Sequence, residues 1–138
     1  YEIASCLVGS EMCIRDSASA YGSSPFFEYY QDDIRPFFEK RYEFLLDFNE
    51  EIRRTVCNLI GIEPHIEYSS SYSEPAPGET DLRDVIHPKR RKAETILPVQ
   101  LKPYYQVFSE KYGFQPDLSI IDLLMNMGPE SILILQNT

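Results

Sequence analysis

The chain has few cysteines, a deficit of basic residues and no long apolar run, and each shortage excludes a class of protein. Three cysteines in 138 residues are too few for a disulfide scaffold. Thirteen lysines and arginines against 22 aspartates and glutamates give a formal net charge of −9. Such an acidic chain is not expected to bind nucleic acid generally, because phosphate is repelled. No apolar run reaches the roughly 18 residues that a membrane-spanning helix needs.

Several chemical motifs are also absent. The patterns GxGxxG, GxxxxGK[ST], HExxH and GxSxG do not occur, so dinucleotide, P-loop, zinc-protease and hydrolase-elbow chemistry is not indicated. What remains is an ordinary globular composition, 43% hydrophobic and 25% charged, with the length of one domain of about 100–150 residues.

The first seventeen residues resemble translated sequencing-library adapter DNA. Leu7–Ser17, LVGSEMCIRDS, matches a transposase adapter, and Tyr1–Ile3 matches the end of a flow-cell adapter. The apolar stretch is too short, and its flanks too acidic, for a signal peptide. We therefore predict that residues 1–17 are non-native, disordered and without packed contacts to the rest. Residues 18–138 then hold 12 basic and 19 acidic residues, a net charge of −7, and Cys57 as their single cysteine.

Helical signals dominate the first half of the remaining chain. Ser24 followed by proline predicts a short helix to about Asp33, and Pro36–Leu46 is predicted to form a second. Asp47 precedes a glutamate by three residues, as in a capping box, and opens an apolar pattern of helical period that stops at Gly61.

The second half combines weaker signals with one clear helix. His65–Tyr72 alternates partly and predicts a strand, Ser73–Thr80 a loop, and Asp81–Ile86 a helical turn. Ser119 is placed to cap a helix that is apolar on almost every face and is therefore buried. Pro129–Leu135 is predicted to form another helix. The predicted fold is mainly α-helical with a minor β component.

Three stretches resemble the bacterial WbqC-like protein family. They are Ser24–Asn49, Asp81–Lys89 and Pro103–Ser131, the last reading PYYQVFSEKYGFQPDLSIIDLLMNMGPES. The chain departs from the family pattern at Asp117, where asparagine is expected, and it lacks the family's N-terminal region. The resemblance implies an α+β parent protein, with residues 18–138 as its C-terminal part.

The resemblance also implies a function. It places the protein in the bacterial cytoplasm, in O-antigen and surface-polysaccharide synthesis, with transfer of an acyl or aminoacyl group of the glycine type. A non-catalytic binding or assembly module acting beside glycan-synthesis enzymes is the alternative. A nucleotide sugar or glycan is the expected substrate, and we expect no cofactor, no metal ion and no nucleic acid.

Acyl or aminoacyl transfer needs a base for the acceptor, donors for the developing oxyanion and a pocket that excludes water. We predict His87 and Asp122 as catalytic residues. Arg83 and Lys89 flank His87 and are predicted to bind an anionic group such as a nucleotide-sugar phosphate. A surface loop with solvated charges is the structural alternative for this stretch.

Further substrate-binding residues are predicted near the C-terminus. Tyr104, Tyr105 and Gln106 suit a sugar, because aromatic faces and amides match its CH and OH groups. Asn126 lies four residues after Asp122 and so shares its helix face. A packed aromatic core is the alternative for the tyrosines, and helix capping is the alternative for Asp122. If the functional interpretation is correct, Arg83, His87, Asp122 and Asn126 converge in one concave pocket.

Overall fold

The computed structural model describes residues 10–82, 102–116 and 118–136. By its internal contacts the chain divides into one unit of residues 1–63 and 101–138 and a second of residues 64–100. In the described ranges the helices are α1 Ser10–Tyr21, α2 Phe27–Ile34, α3 Pro36–Glu39, α4 Leu45–Ile60, α5 Ser109–Tyr112, α6 Ile120–Met127 and α7 Ser131–Gln136, with a 3-10 turn Gly128–Glu130 before α7.

The mainly helical prediction is confirmed, but the predicted strand is wrong. His65–Tyr72 is assigned neither helix nor strand, and no β-strand occurs in the ranges given above. Every residue from 63 to 82 is exposed, including Ile66 and Tyr68, which the predicted strand would have buried on one face. Alternation alone does not make a strand, because the backbone groups need a neighbouring strand. The described residues therefore give the α+β class no support. Ser73–Thr80 lacks helix and strand, as predicted for a loop.

Two predicted helix ends are confirmed. Gly61 ends α4 with φ 82° and ψ 34°, and its N–H donates to the carbonyl oxygens of Cys57 and Asn58. Glycine adopts this left-handed backbone without a steric penalty. Ser119 caps the start of α6: its hydroxyl oxygen accepts a hydrogen bond from the N–H of Ile121 at 3.2 Å. The predicted helix Asp81–Ile86 extends beyond the described residues.

The prediction for Pro36–Leu46 is only half correct. Helix α3 begins at Pro36 but ends at Glu39, and the chain turns extended at Lys40. This break lets the chain fold back, so that the Phe37 ring lies edge-on to Phe48 of α4, with ring centroids 6.2 Å apart. A continuous helix would carry the two rings apart along one axis.

Helices α2, α4 and α6 form the core. Each contributes two of its buried apolar residues, which are Tyr30, Ile34, Val56, Ile60, Leu124 and Met125. The chain before α2 is tied to the end of α6, because the Phe26 N–H donates to the Met125 carbonyl oxygen at 3.1 Å. Helix α6 thus lies at the centre of its unit, as its apolar sequence predicts.

Part of the predicted foreign segment lies in a helix. Residues 10–17 belong to α1, which packs against α3, and Ile14 and Ser17 line a cavity. The assignment of residues 1–17 as a disordered, non-native segment stays a prediction, and residues 1–9 lie outside the described ranges. The helix at residues 10–17 does not bear on the foreign origin of the sequence. In the described parts of the chain, no helix has the length and apolarity to cross a membrane.

Candidate functional site

Two polar side chains are buried on α6. Asp122 and Asn126 are 7% and 3% exposed, and they lie one turn apart on one face of the helix. The side-chain amide of Asn126 donates to the backbone oxygen of Asp122 at 2.8 Å. Buried polar groups of this kind require partners, and residues 102–116 supply them.

The Asp122 carboxylate is held by two donors from that segment. Tyr104 donates its hydroxyl to Oδ2 of Asp122 at 2.7 Å, and Gln106 donates Nε2 to the same oxygen at 3.3 Å. Asp122 stands in the first turn of α6, where the helix dipole favours a negative charge. The capping interpretation therefore applies to Ser119 but not to Asp122, whose carboxylate faces Tyr104 and Gln106.

The remaining contacts fix the segment itself. Gln106 donates to the backbone oxygen of Gln115 at 2.8 Å and accepts from its N–H at 2.9 Å. Asn126 accepts from the N–H of Val107 at 3.0 Å. The Tyr104 ring lies edge-on to Phe114, with centroids 5.4 Å apart. Tyr104 therefore also packs against another aromatic ring, as the structural alternative for the tyrosines predicts.

Among the described residues, Asp122 has more unused hydrogen-bonding positions than Gln106. A carboxylate has about four acceptor positions, and in the described part of the chain Asp122 uses only Oδ2, twice. Both Nε2 donor positions and the Oε1 of Gln106 are engaged. Asp122 and Gln106 line a cavity of about 360 Å³, together with Phe108, Tyr112 and Leu118.

The surroundings of Tyr104 keep its hydroxyl protonated, so that it can donate a hydrogen bond. Burial and the hydrogen bond to Asp122 raise the pKa of Tyr104 to about 12. Burial, followed by the charge of Asp122, also raises the pKa of Tyr21. Within residues 10–82, 102–116 and 118–136, no lysine, arginine or histidine forms an ion pair with Asp122. A neutral phenol therefore solvates the buried carboxylate.

Four of the predicted site residues come together in this cluster: Tyr104, Gln106, Asp122 and Asn126. Tyr105 does not join them; its side chain is 53% exposed. Arg83, His87 and Lys89 lie outside the described residues, so the predicted convergence of all the candidates stays a prediction.

Sequence reasoning missed Gln115, Val107 and Tyr21. Gln115 and Val107 act through backbone groups, which carry no residue-type signal. Among the described residues, no group of three or more histidine, cysteine, aspartate or glutamate side chains is arranged to hold a metal ion.

Comparison with known proteins identifies one family. The model of the WbqC-like protein family matches residues 10–99, which is more than half of the chain. The match includes the quoted stretches Ser24–Asn49 and Asp81–Lys89, whereas the Pro103–Ser131 stretch lies beyond it. It begins at residue 10, inside the segment that we predict to be foreign. No curated protein and no solved structure matches the chain.

Proposed function

Because the chain belongs to the WbqC-like protein family, we propose that it acts in the transfer of an acyl or aminoacyl group, of the glycine type, during O-antigen or surface-polysaccharide synthesis in the bacterial cytoplasm. The observation that carries this proposal is the buried carboxylate of Asp122 beside a cavity of about 360 Å³. A base for the acceptor is the first requirement of the reaction.

In the proposed reaction, Asp122 accepts a proton from the amine or hydroxyl of the acceptor sugar. The acceptor atom then bonds to the carbonyl carbon of the donor, the bond from that carbon to the leaving group breaks, and the proton passes to the leaving group. Tyr104 stays protonated and orients the carboxylate through its 2.7 Å hydrogen bond. Gln106 and Asn126 hold the surrounding backbone in place.

The other predicted residues complete the proposal. His87 assists proton transfer, and Arg83 and Lys89 bind the phosphates of a nucleotide sugar. The exposed ring of Tyr105 offers an apolar face to the sugar. No cofactor enters this chemistry.

The experiment is a transfer assay with the full chain, aminoacylated and acylated donors, and nucleotide amino sugars. Asp122→Asn keeps the size of the side chain but removes the base, and we expect activity to fall by about a hundredfold or more. Asp47→Asn, at an exposed aspartate on α4, serves as the matched control and should keep wild-type activity. Undiminished transfer by D122N would refute the role of Asp122.

One observation favours the non-catalytic alternative. The hydrogen bonds from Gln106 to Asp122 and from the Val107 N–H to Asn126 hold residues 102–116 against α6, as a structural network would. If the chain binds a nucleotide sugar or a glycan enzyme but shows no turnover with any donor, the binding or assembly function replaces the transferase.

A further inference from the structure

A second cavity, of about 380 Å³, has an apolar lining. From α6 it is lined by Ile121 and Met125, which lie one turn apart and on a different face from the Asp122–Asn126 pair. Its four phenylalanines are Phe27, Phe37, Phe38 and Phe48, with Ile34 and Ile52 beside them. Ile14 and Ser17 also line it, but every phenylalanine lies outside the predicted foreign segment.

Size and lining indicate the chemistry of a ligand. The volume lies within the range of small-molecule pockets, and apolar walls favour an apolar occupant over water. A glycine-type group would leave most of this surface uncovered. A hydrocarbon chain would bury apolar area along its whole length, which is favourable in proportion to that area.

Arg35 adds a positive charge to the same cavity. Its side chain is 60% exposed, so it lies where the cavity meets solvent. Glu39 accepts from Nε of Arg35 at 2.6 Å, and within the described ranges the terminal guanidinium nitrogens of Arg35 have no hydrogen-bond partner. The two terminal nitrogens of the guanidinium can therefore bind a carboxylate through paired hydrogen bonds.

We propose that this cavity binds a single medium-length hydrocarbon chain ending in a carboxylate, with the chain among the phenylalanines and the head group on Arg35. Tyr21 lines this cavity and also senses the charge of Asp122, but the two cavities share no lining residue, and the lipid site does not depend on the proposed transfer reaction. It gives the protein a second ligand, a free fatty-acid-like molecule.

Calorimetric titration of the full chain tests the proposal with octanoate and decanoate below their micelle concentrations and with decanol below its solubility limit. Each methylene buried in the cavity raises affinity by up to about fourfold, so decanoate should bind about tenfold more tightly than octanoate. Arg35→Gln should weaken decanoate binding about tenfold and leave decanol binding unchanged. Arg54→Gln, at a 71% exposed arginine of α4, is the control and should change neither.

Filling the cavity tests the position of the chain. Ile52→Trp should abolish binding of decanoate and decanol, whereas Leu46→Trp, at a 61% exposed leucine of the same helix, should not. Ile52→Phe replaces the tryptophan variant if that variant does not fold, with a smaller loss expected.

The proposal fails if decanoate does not bind, if affinity ignores chain length, or if the Arg35 or Ile52 variants bind both ligands like the wild type. Asp122→Asn should bind decanoate normally. This result separates the failure of the lipid site from the failure of the transfer reaction.

Discussion

Gly128 is predicted to resist replacement, because it combines a positive φ with a close contact to a side chain. It is buried at the end of α6, with φ 55° and ψ −131°, a backbone conformation that side chains rarely adopt. A Cβ at this position would lie 2.5 Å from Cε1, 2.6 Å from Cδ1 and 2.7 Å from Cγ of the Phe26 ring. Alanine at position 128 therefore combines backbone strain with a clash against a ring.

Gly61 provides a matched comparison. It also has a positive φ, of 82°, but a Cβ there would meet nothing within 4 Å. Gly61→Ala should lower the free energy of unfolding by about 1–2 kcal/mol, the cost of a left-handed residue. Gly128→Ala should add about 1–3 kcal/mol for overpacking, giving a total loss of roughly 2–5 kcal/mol.

Urea denaturation followed by circular dichroism measures both losses, with an unchanged slope showing that only stability has changed. A double-mutant cycle then identifies the clash: Gly128→Ala should cost about 1–3 kcal/mol less in a Phe26→Ala background than in the wild type, because the ring is gone. Equal losses for the two single glycine variants, or an absence of coupling between positions 26 and 128, would refute this reasoning.

Three further predictions concern the Asp122 cluster and the N-terminal segment. Asn126→Ala leaves the N–H of Val107 without its acceptor and should lower the free energy of unfolding by about 1–3 kcal/mol. Hydrogen exchange at Val107 should become faster. Asn58→Ala, on the exposed face of α4, is the control and should change stability by less than about 0.5 kcal/mol. The folded-state pKa of Tyr104, about 12, exceeds the ordinary value of 10.0, so the unfolded state loses this proton first. Wild-type stability should therefore fall more steeply than that of Tyr104→Phe as pH rises from about 10 to about 12, and equal slopes would contradict the assignment. Sequencing of the source locus should find no gene encoding residues 1–17 in frame, and finding one would refute their adapter origin.

Local signals account for the features that the sequence predicted correctly. Ser119 caps α6 and Gly61 ends α4 because capping depends on groups within a few residues of the helix end. The apolar pattern of α6 likewise predicted its burial. The loop at Ser73–Thr80 follows from its two prolines and one glycine.

The errors occurred where a distant partner decides the outcome. His65–Tyr72 has an alternating pattern, but none of these residues pairs with a strand. Pro36–Leu46 has helix-forming residues throughout, yet the chain leaves the helix after Glu39, where the break lets Phe37 meet Phe48.

The sequence by itself determined two helix ends, at Gly61 and Ser119, together with the buried character of α6 and the family, because composition, caps and motifs are properties of short stretches. Only the tertiary structure decided what Asp122 does. Its sequence position suits a helix cap, but Tyr104, eighteen residues earlier, takes the carboxylate instead. That contact requires residues 102–116 to pack against α6. The packing of the whole unit therefore decides which polar groups are buried together, and no local sequence pattern predicts it.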